Sequence, residues 1–209
     1  MSPEIWIAFA LASAVLLAVP GPTVMLVVSY ALGRGRATGW ATVPGVALGD
    51  FTAMTISLLG AGAILATSAS LFTVLKFAGA AYLVWLGIRL WRAPPVLPET
   101  REIEPGREGH ISVFANAFMV TALNPKSIVF FVAFVPQFVD PARPLLPQFT
   151  ILVTTFVMLA AINVTLWVRL AGAMRDRFRK PARLRGLNRL GGSFLIGAGL
   201  ITALTGSNK

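Results

Sequence analysis

Six long apolar runs constrain this chain more than any other feature: Ile5 to Leu32, Trp40 to Leu65, Leu71 to Trp91, Val113 to Val139, Leu145 to Ala171 and Leu187 to Leu204. A hydrocarbon core about 30 Å thick takes roughly 20 apolar residues in a helix, because without water each backbone group must bond inside its own segment. The runs therefore predict an all-α membrane protein with six transmembrane helices. The first run is too long for a cleaved leader, and Glu4 stands where a leader carries basic residues, so it is read as a retained span.

The charges are few and unbalanced, with 18 Lys and Arg against 8 Asp and Glu. Such a balance raises nucleic-acid binding, but the positions argue against it. Arg34 and Arg36 lie in the first connector and Arg89, Arg92, Arg101 and Arg107 around the third. Arg169, Arg175, Arg177, Arg179, Lys180, Arg183, Arg185 and Arg189 follow around the fifth. These odd-numbered connectors share one side of the bilayer, while the other side offers Lys76, Arg143 and Lys209. The positive-inside rule then makes the basic side cytoplasmic and places both termini outside, periplasmic or extracellular. Trp6, Trp40, Trp91 and Trp167 fall near span ends as interfacial residues, whereas Trp85 lies deeper and reads as a packing residue. The stretch 93–112, with Pro94, Pro95, Pro98 and Pro105 among mixed charges, reads as a cytoplasmic linker.

The two halves repeat. Lys76 to Gly87 in span 3 can be laid over Asn188 to Gly199 in span 6, aligning Gly79 with Gly191 and Gly87 with Gly199. Laid half against half, Gly21-Pro22-Thr23 in span 1 matches Asn124-Pro125-Lys126 in span 4, and Asp50 in span 2 falls opposite Asn163 in span 5. Each unit has three spans, so the second copy enters from the other face. The expectation is one transmembrane domain built of two inverted three-helix repeats, about 1–92 and 113–209.

Within these spans the costly residues cluster. Pro20-Gly21-Pro22 interrupts span 1 and Asn124-Pro125-Lys126 interrupts span 4. Each proline lacks an amide donor and clashes with the carbonyl one turn back, so both helices are expected to break there. Broken backbone at membrane depth is tolerated where it is buried or lines a cavity, and its freed polar groups become ligands. Asp50 is the only acidic residue well inside a span and Lys126 the only central basic one. Either costs about 2.5 to 3.5 kcal/mol at a helix centre, so each is expected to face a polar cavity or the other. An ion pair locking the halves together is the structural alternative. Gly45 and Gly49, just before Asp50, let a neighbouring helix approach and turn that carboxylate inward.

Enzymatic classes find no support. The spans hold no His, no paired carboxylates and no nucleotide-binding or nucleophile motif. With no Cys anywhere and His110 alone in a polar stretch, neither thiol chemistry nor a metal site is expected, and no cofactor is implied. Transport driven by an ion gradient or by the substrate's own gradient remains, with export of another small solute, or a membrane scaffold, as alternatives.

The ordered set Pro20-Gly21-Pro22, Gly49-Asp50, Lys76-Phe77-Ala78-Gly79-Ala80-Ala81-Tyr82-Leu83, Asn124-Pro125-Lys126, Phe130-Phe131 and Pro136-Gln137-Phe138 resembles the LysE/RhtB family of amino-acid exporters over essentially the whole chain. The resemblance implies a bacterial inner-membrane exporter of amino acids or close derivatives, exchanging for protons, with a homodimer as its assembly. On the residues themselves, an amino acid would lie between the two breaks. Its carboxylate would meet Lys126 and amides near Gly21 and Thr23, and its ammonium Asp50 or exposed carbonyls. Asp50 would also carry the coupled proton. Asn124, Asn163 and Gln137 would orient the ligand, beside the prolines Pro20, Pro22 and Pro125. Phe130 and Phe131 would gate the path or simply pack, and Lys76 would serve as a gate or an interfacial anchor.

Overall fold

The computed structural model describes residues 1–19, 21–94, 109–140, 142–178 and 181–204. Pro20, most of the expected linker, with Arg101 and Arg107, and also Arg179, Lys180 and Lys209 lie outside the described residues. The helices, in chain order, are α1 (Pro3–Ala18), α2 (Pro22–Gly33), α3 (Arg36–Thr67), α4 (Ala69–Arg92), α5 (His110–Ala122), α6 (Pro125–Val129), α7 (Leu145–Phe178) and α8 (Pro181–Leu204). Between α6 and α7 the chain continues as a π-helical turn, Phe130–Phe134, and a 3-10 turn, Val135–Phe138. Among the described residues every regular element is a helix.

Both expected breaks are present as breaks between helices. α1 and α2 meet at 53°, and α5 meets the segment Pro125–Phe138 at 41°. Pro22 and Pro125 each occupy the first turn of the helix that follows, where a missing amide costs nothing and the fixed φ suits the helix. α3, α4 and α7 are each long and apolar enough to cross a membrane unbroken, and five crossings result when each bent pair counts as one. α8 covers the sixth apolar run and begins earlier than it, at Pro181.

Large apolar side chains point outward along the bundle: Leu11, Ile56, Leu59, Val74 and Met158 are all 60% exposed or more. In water such a surface would drive aggregation; in lipid it is the solvated face. The interior is closed by Phe9, Leu16, Met54, Leu58, Leu83, Phe130, Phe131, Phe156 and Leu195. Trp85 departs from its expected packing role. It is 50% exposed, with the Arg89 guanidinium 5.4 Å from its ring centroid, because it lies on the outward face of α4.

With lipid on both sides of the comparison, helices associate through close packing, and the smallest residues mark where. α3 lies on α5 at Gly45 and Gly49: a Cβ on Gly49 would stand 2.8 Å from the Phe118 carbonyl oxygen and 2.9 Å from Thr121 Cβ. α4 crosses α8 in the same way. A Cβ on Gly87 would meet the Gly192 carbonyl oxygen at 2.6 Å, and one on Gly199 would meet that of Ala80 at 2.7 Å. α7 packs against α1, α2 and α3, which brings Asn163 to the break in the first pair.

Candidate functional site

Where α1 ends, its last carbonyls have no amide of the next turn to accept from. Two side chains from the second half supply the donors. Lys126 Nζ donates to the carbonyl oxygens of Leu16 at 3.1 Å and Val19 at 3.0 Å, and Asn163 Nδ2 donates to that of Leu17 at 3.1 Å. The chain then passes close over the ammonium: a Cβ on Gly21 would lie 3.3 Å from Lys126 Nζ. Any larger residue there would crowd the lysine head.

The opposite side of the break is built from hydroxyls and an amide. Asn124 caps α6 by accepting from the Lys126 amide at 3.1 Å, while its Nδ2 donates to Thr23 Oγ1 at 3.3 Å. Thr23 Oγ1 also lies 3.3 Å from Thr121 Oγ1, so the start of α2 is tied to both α5 and α6. No side chain caps the N-terminus of α2, whose first amides therefore face this region without a side-chain acceptor. The junction carries the negative end of one helix dipole and the positive end of another.

Asp50 is 2% exposed and lines the same space. Among the described residues it makes no hydrogen bond and no ion pair within 4 Å, so Asp50 and Lys126 act on one another electrostatically without the direct contact that a lock would need. The space between them is about 20 Å³, bounded by Gly21, Thr23, Asp50, Asn124, Lys126 and Asn163 among others. A single water needs about 10 to 15 Å³, so this space is too small for an amino acid.

The remaining sequence candidates lie elsewhere. Pro22 and Pro125 set the helix starts without lining the cavity. Gln137 donates to Thr202 Oγ1 at 2.7 Å and to the Ala133 carbonyl at 3.2 Å. With Lys76 it borders a second, larger cavity of about 650 Å³, formed by the start of α1, the end of α3, the 3-10 turn and the start of α7. Phe130 and Phe131 are fully buried and lie along the chain between the two cavities. Phe131 packs edge-on to Phe156 with centroids 4.8 Å apart, and Phe130 lies 5.0 Å from Phe134. These rings sit in the π-helical turn, a departure from α geometry that often accompanies functional sites.

Sequence reasoning missed the carbonyls of Leu16, Leu17 and Val19 as named groups, and Thr121 as the partner of Thr23. The first had a signal: a helix stopped by proline must present its last carbonyls to something. The second had none, since a lone Thr in an apolar helix is common. No group of three or more His, Cys, Asp or Glu able to hold a metal ion occurs among the described residues.

Comparison with known proteins adds family and relatives. A protein from Vibrio cholerae serotype O1 called an uncharacterized membrane protein is 35% identical, over 97% of this chain and 98% of its own. A homoserine/homoserine lactone efflux protein from Salmonella typhi is 33% identical, over 97% of this chain and 98% of its own. A leucine efflux protein from an Enterobacter species is 29% identical over 79% of this chain and 78% of its own. No solved structure matches. The family model described as LysE type translocator matches residues 14–206. A chain matched over nearly its whole length, with apolar helices broken at the two expected places, is a membrane translocator rather than an enzyme, and it belongs to the LysE type translocator family.

Proposed function

We propose that this protein is a secondary exporter of amino acids or close derivatives from the cytoplasm, exchanging them for protons across a bacterial inner membrane. One observation carries the proposal. A carboxylate, an ammonium and the facing ends of two broken helices converge on one buried cavity, a set complementary to a zwitterion. Relatives named for efflux of leucine and of homoserine or its lactone support an amino acid or close derivative as the substrate.

In this reading six crossings form one transmembrane domain of two inverted repeats, about 1–92 and 113–209. The α4 and α8 crossing supports it. The frame that lays Lys76 on Asn188 exchanges Gly87 with Gly199, Gly192 with Ala80 and Ile196 with Val84. The contacts of Gly87 with Gly192 and Ile196 are repeated by Gly199 with Ala80 and Val84. On the positive-inside reading, the larger cavity lies on the side away from the cytoplasm, with both termini. In this reading the packed rings of Phe130, Phe131 and Phe156, which follow Lys126 in the chain or pack on those that do, are the layer that parts for release.

The roles follow from the groups. The substrate carboxylate meets the positive N-terminus of α2 and Lys126, and its ammonium meets Asp50 and the end of α1. Asp50 takes either the proton or the ammonium, since one carboxylate in so small a space accommodates one of them at a time. That competition couples the two flows. The test is efflux of a panel of labelled amino acids from loaded vesicles under an imposed proton gradient, comparing wild type with Asp50→Asn at equal membrane abundance. Selective, gradient-dependent efflux that the variant lacks is the expected result. If neither protein moves any amino acid, the assignment falls; if the variant exchanges as wild type does, Asp50 is not the coupling group.

A further inference from the structure

One side of the central cavity is lined by acceptors: the Asp50 carboxylate, which makes no hydrogen bond among the described residues and feels the Lys126 charge without touching it, and the carbonyls of Leu16, Leu17 and Val19. Their donors are tethered, Asn163 on Leu17 and the Lys126 ammonium on Leu16 and Val19. Both acceptor groups are negative, one by charge and one as the C-terminal end of the α1 dipole. The space left is about 20 Å³, so no ligand can be added without something leaving.

One group at this site can leave and be replaced in kind. An alkylammonium carries three N–H donors on a compact head, and the α-ammonium of an amino acid is the same chemical group as Lys126 Nζ. We propose that Lys126 is a tethered surrogate for the substrate's ammonium: in the empty protein it occupies the Leu16 and Val19 carbonyls, which hold the substrate's own ammonium in the loaded one. This rests on the amino-acid reading above. The surrogate keeps those carbonyls bonded at membrane depth, where a bare one costs several kcal/mol, while the carrier resets empty. Substrate binding is then an exchange of one ammonium for another. It frees Lys126 to turn to the incoming carboxylate, and Gly21 leaves its head the room to move.

The test uses an amine that rebuilds the missing head. Lys126→Ala removes three carbons and the nitrogen, which together make propylammonium. In purified, lipid-reconstituted protein, propylammonium is expected to raise the Tm of Lys126→Ala by about 3 to 6 °C at roughly ten times its Kd. It is expected to leave wild type unmoved, and tetramethylammonium, which has no N–H donor, to act on neither. Propylammonium is also expected to compete with the amino acid identified by efflux for binding to the variant. If Lys126→Ala does not yield folded protein, Lys126→Met with ammonium ion, the one group that methionine lacks, takes its place. Equal stabilisation of wild type and variant, stabilisation of neither, or failure to compete overturns the surrogate role. Efflux intact with no rescue sinks this inference alone, whereas rescue without any amino-acid efflux keeps the ammonium site and sinks the function.

Discussion

Replacing Gly49 by Ala tests whether the contact between α3 and α5 positions the site. The added Cβ would lie 2.8 Å from the Phe118 carbonyl oxygen, 2.9 Å from Thr121 Cβ and 3.1 Å from the Ala122 nitrogen. Two of these atoms are α5 backbone, which cannot yield without shifting the helix, so overpacking should cost about 1 to 3 kcal/mol. Alanine also regains roughly 0.5 to 1 kcal/mol of helix propensity. Gly197→Ala isolates that gain, because a Cβ on Gly197 meets nothing within 4 Å. The two variants should therefore differ by about 1 to 3 kcal/mol, roughly 2 to 12 °C in Tm for a chain of this size. Tryptophan fluorescence during heating of the reconstituted protein reads the difference. Because Thr121 bonds Thr23 and Asp50 follows Gly49 in the chain, efflux by Gly49→Ala should fall below its folded fraction. Equal Tm for the two variants, with efflux at the wild-type rate, would refute the proposal that this close approach sets the cavity.

Asn163→Leu leaves the Leu17 carbonyl without its donor and should cost about 1 to 3 kcal/mol, visible as a lower Tm and not rescued by any alkylamine. Phe131→Ala opens a void beside Phe156 and should lower stability by about 2 to 5 kcal/mol; a reporter cysteine placed at Ser127 should then react with thiol reagents faster than in the wild-type background. Arg143→Ala removes an exposed contact with Asp140, 3.2 Å long with both side chains well hydrated, and should change Tm by no more than the scatter of repeat melts.

Sequence alone determined the solvent and the breaks, because both are local. Hydropathy counted along the chain identified the bilayer as the surroundings, and a proline next to a glycine or asparagine that can cap a new helix marks a break, whereas Pro44 alone is accommodated inside α3. That is why Pro22 and Pro125 start new helices where expected, and why Gly21, Thr23, Asp50, Asn124, Lys126 and Asn163 were identifiable as candidates before any geometry. The tertiary structure decided which of them face each other. Gln137 was grouped with the central site by its position in span 4, but the π-helical turn at Phe130–Phe134 intervenes and Thr202 of α8 engages it beside the other cavity. Lys126 and Asp50 were natural partners by charge, yet the lysine reaches the end of α1 instead. A charge pattern gives the sign and depth of a group, but its partner is whichever acceptor another helix brings within about 3 Å. In this protein that acceptor is backbone, whose availability depends on where α1 stops and on how the second half of the bundle lies against it.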